Sequence, residues 1–189
     1  MKFRIIIYLL LLVFSINEAK CRNCGLVVDT SAQIDEENFL TDTLHIIHAE
    51  RISTIGHFIK NNKTPYSAIV LIRIGDRQAW IQSTLKIAGK ISKNYDDVSL
   101  AFLFLDTDSS LAEQMRNTII DRFNIQDFEV FYTQSYTEGE SAAKIRRWNL
   151  QTTPAIIIFD KSGNYVIYPM TLSEKDAFIK IDSIMKCKR

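Results

Sequence analysis

Residues 149–163 read Asn149-Leu150-Gln151-Thr152-Thr153-Pro154-Ala155-Ile156-Ile157-Ile158-Phe159-Asp160-Lys161-Ser162-Gly163. Residues 155–159 are apolar without interruption, the pattern of a strand buried on both faces. Pro154 has no N–H to give a sheet ladder, so it is tolerated only at the first position of such a strand. Asp160-Lys161-Ser162-Gly163 has the composition of a tight turn, with a glycine free to take positive φ. Residues 164–168 (NYVIY) return as an antiparallel partner. Ser173-Glu174-Lys175-Asp176 resembles a capping box. It opens a last helix with Ala177, Phe178, Ile181, Ile184 and Met185 on one face.

Working back toward the N-terminus, residues 68–74 (AIVLIRI) and 98–105 (VSLAFLFL) are two further strands of the buried kind. Between them, Trp80, Ile81, Leu85, Ala88 and Ile91 repeat at helical spacing over residues 78–95. Asp108 or Ser109 caps a helix carrying Leu111, Met115, Ile119 and Phe123. Residues 128–133 (FEVFYT) predict a strand and residues 140–148 a short helix. The order is β-α-β-α-β-α-β-β-α. Strands separated by helices are parallel, and the last two, joined by a tight turn, are antiparallel. The expected fold class is therefore α/β, a mixed sheet with helices on both faces. Residues 43–64 are ambiguous: Leu44, Ile47, Ile55, Phe58 and Ile59 fit helical spacing, but 43–48 also reads as a strand. The preferred reading is a strand or short helix at 43–48 and a helix at 52–61.

Met1–Arg4 is short and basic, and residues 5–14 (IIIYLLLLVF) are ten unbroken apolar residues with Ala19 at a plausible cleavage position. That is a secretory signal over residues 1–19, too short to span a bilayer. The expected divisions are a signal peptide at 1–19, a lead-in at 20–66 and a folded domain at 67–189. Export places the protein in the periplasm or cell envelope of a bacterium, or outside the cell otherwise. Of the 23 basic and 22 acidic residues, Lys2, Arg4 and Glu18 leave with the signal, so 21 of each remain. A balanced charge argues against a nucleic-acid-binding domain. Export also puts Cys21, Cys24 and Cys187 in an oxidising compartment. Cys21-Arg22-Asn23-Cys24 has the CxxC spacing of a redox pair. The simpler reading is a disulfide that is local or ties the termini through Cys187. A lipid on Cys21 is the third, and the one route to a membrane, although Lys20 is a poor neighbour for that signal.

The segment quoted first, together with the element order, resembles the Thr-Pro region of thioredoxin-like proteins. The likeness is closest to their exported thiol-disulfide reductase and peroxiredoxin-like branches, which insert a strand and helix before this motif, as residues 128–148 do. It covers residues 67–186 and implies a thioredoxin-like fold in which the Thr153–Pro154 bond is cis. In that family a catalytic CxxC, often preceded by Trp, follows the first central strand and opens the first long helix. Here the residues in that place are Gly75-Asp76-Arg77-Gln78-Ala79-Trp80-Ile81-Gln82, and no cysteine lies between Cys24 and Cys187. Thiol–disulfide exchange needs a thiolate at the attacking position. Trp80 is expected to be a core residue rather than a remnant of the site.

The resemblance thus implies a binding role without the family's redox site. Asp76, Arg77 and Gln78 would form one wall of a groove, Thr153 and Pro154 the other, and an extended peptide or envelope protein would be the partner. The competing reading is a thiol-disulfide oxidoreductase using the displaced Cys21/Cys24 pair, and a third is a structural envelope domain. No cofactor or metal is expected: there is no P-loop, GxGxxG or GxSxG motif. His45 and His48 share a face only on a helix, where His57 or Glu50 would complete a metal site. Asp106-Thr107-Asp108 reads as helix capping, Asn62-Lys63-Thr64 is a glycosylation sequon, and Arg146-Arg147-Trp148 reads as a solvated helix edge.

Overall fold

The computed structural model describes residues 34–47, 49–134, 138–169 and 174–186. The signal segment, Cys21, Cys24 and Cys187, His48 and the Ser173 cap lie outside the described residues. Every residue of β3 (Tyr66–Arg73) except the last is buried, and so are the middle of β4 (Val98–Thr107) and all of β6 (Ala155–Asp160). These strands form the centre of the sheet because their runs of β-branched and aromatic residues must be covered on both faces.

The described strands make one seven-stranded sheet in the order β2-β1-β5-β4-β3-β6-β7, adding β1 (Thr43–Ile46), β2 (Ala49–Thr54), β5 (Phe128–Gln134) and β7 (Tyr165–Pro169). β3, β4 and β5 are parallel, with Tyr66 opposite Val98 and Leu100 opposite Phe128. β6 runs antiparallel to β3, with Leu71 opposite Ala155, and β7 antiparallel to β6. The turn between β6 and β7 is held by Asp160, whose carboxylate accepts from Ser162 N (2.8 Å) and Asn164 N (3.0 Å), with Gly163 at φ 88°.

Six helices divide between the faces, among the described residues: α1 (Glu36–Thr41), α2 (Ile55–Asn61), α3 (Gln78–Asn94), α4 (Ser109–Phe123), α5 (Glu138–Arg147) and α6 (Glu174–Lys186). α3, α4 and α6 pack Ile87, Ala88, Ile91, Ala112, Ile119 and Ile181 over Val70, Phe102 and Phe104. On the opposite face Phe39 of α1, Ile55 and Phe58 of α2 and Trp148 after α5 cover Ile69, Leu71 and Leu103. α1 and α2 meet so closely at Gly56 that a Cβ there would lie 2.9 Å from Leu40 O. No helix among the described residues is long and apolar enough to cross a membrane.

The mixed α/β sheet with helices on both faces is as expected, and the strands and helices from residue 66 onward lie within a few residues of their sequence-predicted bounds. The segment before residue 67 differs. β1 and β2 pair antiparallel and β1 also pairs with β5, His45 opposite Tyr132, so the sheet takes in part of the stretch read as a lead-in. The helix expected from 52 starts at Ile55, where the Thr54 hydroxyl accepts from His57 N (3.0 Å). Trp80, expected in the core, is 39% exposed.

Candidate functional site

The site forms where β3, β4 and the start of β6 meet. β3 ends at Arg73, and the chain turns back at once: Asp76 N donates to Arg73 O (3.0 Å) and Arg73 N donates to Asp76 Oδ2 (2.8 Å). This fixes the Asp76 carboxylate at the lip of the sheet. Its other oxygen, Oδ1, accepts from the Thr153 hydroxyl at 2.6 Å. The Thr153–Pro154 peptide bond is cis, and Ala155 enters the ladder opposite Leu71 immediately afterwards. Two walls that lie 77 residues apart in sequence are therefore joined by one side-chain hydrogen bond.

Beneath this contact, Arg73 Nε donates to Asp106 Oδ2 at 2.5 Å. Asp106 takes a left-handed backbone conformation, φ 59°, at the end of β4. Asp108, two residues on, caps α4 by accepting from Leu111 N (2.8 Å), the capping role its sequence predicted. Arg77 stands at the N-cap of α3 with no side-chain cap, and its guanidinium lies 4.9 Å from the Trp80 ring centroid. Gln78 opens the helix and is exposed.

Burial pushes the Asp76 carboxyl above the usual carboxylate range, and Asp106 adds to the rise. The hydrogen bonds from Thr153 and the Arg73 amide, with the Arg73 charge, oppose it without cancelling it. The fold thus disfavours the charged form of Asp76 relative to the unfolded chain, and this group contributes most stability below its unfolded pKa. That contribution fades as pH rises through the folded value. Asp76→Asn keeps one acceptor oxygen where two N–H or O–H donors need one each. The variant is expected to lie within about 1 kcal/mol of wild type at pH 7. The gap should widen in favour of wild type as pH is lowered toward 4, measured by urea unfolding at both pH values.

The structure brings Asp76 and Thr153 into contact and sets Arg77 and Gln78 beside them. Cys21, Cys24 and Cys187 lie outside the described residues. Sequence reading missed Arg73, the one charge in its apolar run, and assigned Asp106 to helix capping, whereas Asp108 alone caps α4 and Asp106 pairs with Arg73. It also missed the exposure of Ile74 (38%) and Trp80 at the rim. His45 lies on β1 and stacks on Tyr132 at 5.2 Å, while His57 lies on α2 beside Ser53 (3.3 Å). No group of three metal-ligating residues occurs among the described residues.

No family model matches the chain, and no curated protein matches it significantly. Solved structures do. A thioredoxin-like protein from Aeropyrum pernix aligns over 80% of this chain and 91% of its own, with TM-score 0.54 and 13% identity. A thiol-disulfide isomerase from Corynebacterium glutamicum aligns over 76% and 92%, with TM-score 0.53 and 17% identity. A secreted disulfide oxidoreductase from Mycobacterium tuberculosis aligns over 79% and 98%, with TM-score 0.51 and 9% identity. At such identities the likeness shows the fold alone: with its seven-stranded mixed sheet covered by helices on both faces, the chain has the thioredoxin-like fold.

Proposed function

We propose that this protein is an exported thioredoxin-like domain that binds an extended peptide between Asp76–Gln78 and Thr153–Pro154, without thiol–disulfide exchange at that place. The observation that carries the reading is the Asp76–Thr153 hydrogen bond. Where the fold's relatives would present an attacking thiol, this chain presents a carboxylate already engaged by the opposite wall. The backbone of Thr153 stands outside the β6 ladder, which begins at Ala155, so an extended chain can pair with it by strand addition. The solved relatives include a secreted oxidoreductase. Together with the basic and apolar N-terminus, this favours export to the periplasm, the cell envelope or the exterior.

The test has two parts. Peptides selected from a random library on the immobilised protein are expected to lose affinity at least tenfold for an Asp76→Asn/Gln78→Ala double variant. In insulin reduction with dithiol as electron donor, the protein is expected to give no turnover above background. Turnover that vanishes in Cys21→Ser/Cys24→Ser would replace this reading with the second one, a displaced-pair oxidoreductase, which the CxxC spacing of Cys21 and Cys24 favours. No selectable peptide together with no turnover would overturn the binding reading in favour of the structural-domain one.

A further inference from the structure

A second concave feature, which shares Gln78 with the site described above, lies between α3 and α4 on the face of the sheet that these helices cover. It is a groove of about 280 Å³ running from Ile74 and Gln78 to Arg122. Its floor is apolar, with Ile81 and Leu85 from α3 facing Met115 and Ile119 from α4, while Gln78, Gln82 and Thr118 add polar groups to the lining. Arg122 is the one charged residue in the lining. Arg73, Arg116 and Arg147 each pair with a carboxylate. Arg122 has no ion-pair partner among the described residues, and no carboxylate lines the groove. The feature is thus a largely apolar trough with one solvent-exposed guanidinium at its rim and no carboxylate opposite it.

Small-molecule sites are built this way, from apolar walls with a few polar groups that fix orientation. We propose that the groove binds a monocarboxylate bearing a single aliphatic chain. The carboxylate pairs with the Arg122 guanidinium, whose planar fork suits two parallel hydrogen bonds. The chain lies along Ile81, Leu85 and Met115. The volume falls just below the roughly 300 Å³ from which drug-sized ligand sites run upward. That suits one chain rather than the two of a bilayer lipid. The lining carries a cation and no anion, so it selects an acid over an amine.

Calorimetric titration of the purified protein tests this with hexanoate, octanoate, decanoate, decanol and decyltrimethylammonium, each below its micelle concentration. Decanoate is expected to saturate one site. Affinity should rise about tenfold for each two-carbon step from hexanoate, the increment expected from burying two CH₂ groups. Arg122→Gln should weaken decanoate about tenfold and leave decanol unchanged. Met115→Trp, which fills the trough, should abolish binding of both. Thr118→Phe, at an exposed position in the same lining, serves if Met115→Trp does not fold. Three outcomes would overturn the proposal: no saturable decanoate binding, equal binding of the ammonium analogue, or binding indifferent to Arg122→Gln. Dimerisation that Met115→Trp abolishes, without decanoate binding, would assign the groove to a second copy of the chain and equally overturn it.

Discussion

Trp148→Ala is expected to lower the free energy of unfolding by about 3–5 kcal/mol, the range for truncating a buried large aromatic. Trp148 is completely buried. Phe39 meets its ring edge-on, with centroids 5.3 Å apart, and the same Phe39 stacks on Phe159 at 6.0 Å. The indole thus links α1, the end of α5 and the central strand β6. Its backbone adds to this, since Trp148 O accepts from Asp35 N (2.8 Å) just before α1. Truncation leaves a cavity that Phe39 fills only by abandoning Phe159, so collapse cannot recover much of the loss. Typical domain stability is about 5–15 kcal/mol, so the variant should be close to unfolding at 37 °C. Trp148→Phe keeps most of the ring volume and should cost less than half as much. Urea unfolding followed by far-ultraviolet circular dichroism measures both. Equal midpoints for wild type and Trp148→Ala would show that this side of the sheet adds little to the cooperative fold.

The parts of this molecule that were legible in its sequence are those whose burial is two-sided. β3, β4 and β6 have no polar face to conceal their period, and their runs end where charge or a turn appears. The β1–β2 pair was not legible for the opposite reason. Only Leu44 of β1 is fully buried, while Ile52 of edge strand β2 is 63% exposed. Ile52 therefore falls into apparent helical register with Ile55 and Ile59, and the pattern hides the strand. Trp80 misled for a related reason. It lies four residues before buried Thr84, on the buried stripe of α3, but the first turn of that helix stands at the sheet's edge. There its ring meets Arg77 and solvent instead of strand side chains. Asp76 and Thr153 entered as site candidates only through family resemblance. A hydrogen bond between residues so distant in sequence leaves no local pattern. The same is true of Arg147 and Trp148, read as part of a solvated helix edge, which instead converge on one carboxylate.

That carboxylate is Asp42, and Asp42→Ala is expected to cost about 2–4 kcal/mol, more than an ordinary surface ion pair can account for. Asp42 Oδ2 accepts from Lys144 Nζ (3.0 Å), from Trp148 Nε1 (3.0 Å) and from the Arg147 guanidinium. Its side chain is only 10% exposed. Arg147 and Lys144 can return to water when the acceptor is removed, since their side chains are 50% and 25% exposed. The indole N–H of fully buried Trp148 cannot, and an orphaned buried donor costs roughly 1–3 kcal/mol alone. Loss of two partly desolvated charge contacts adds the remainder. Burial pushes the Asp42 carboxyl upward, but the hydrogen bonds and charges of Arg147 and Lys144 outweigh it and leave the group below its ordinary value. A lowered folded pKa stabilises the protein above the unfolded pKa, and that stability disappears as pH falls through the folded value. The penalty for Asp42→Ala should therefore be largest near neutrality and shrink on acidification below about pH 4. Asp76, whose carboxyl is raised, gives the opposite slope. A double-mutant cycle of Asp42→Ala with Trp148→Phe should show a coupling of about 1–2 kcal/mol. A coupling near zero would mean that the indole N–H finds another acceptor, and that Asp42 acts through its cations alone.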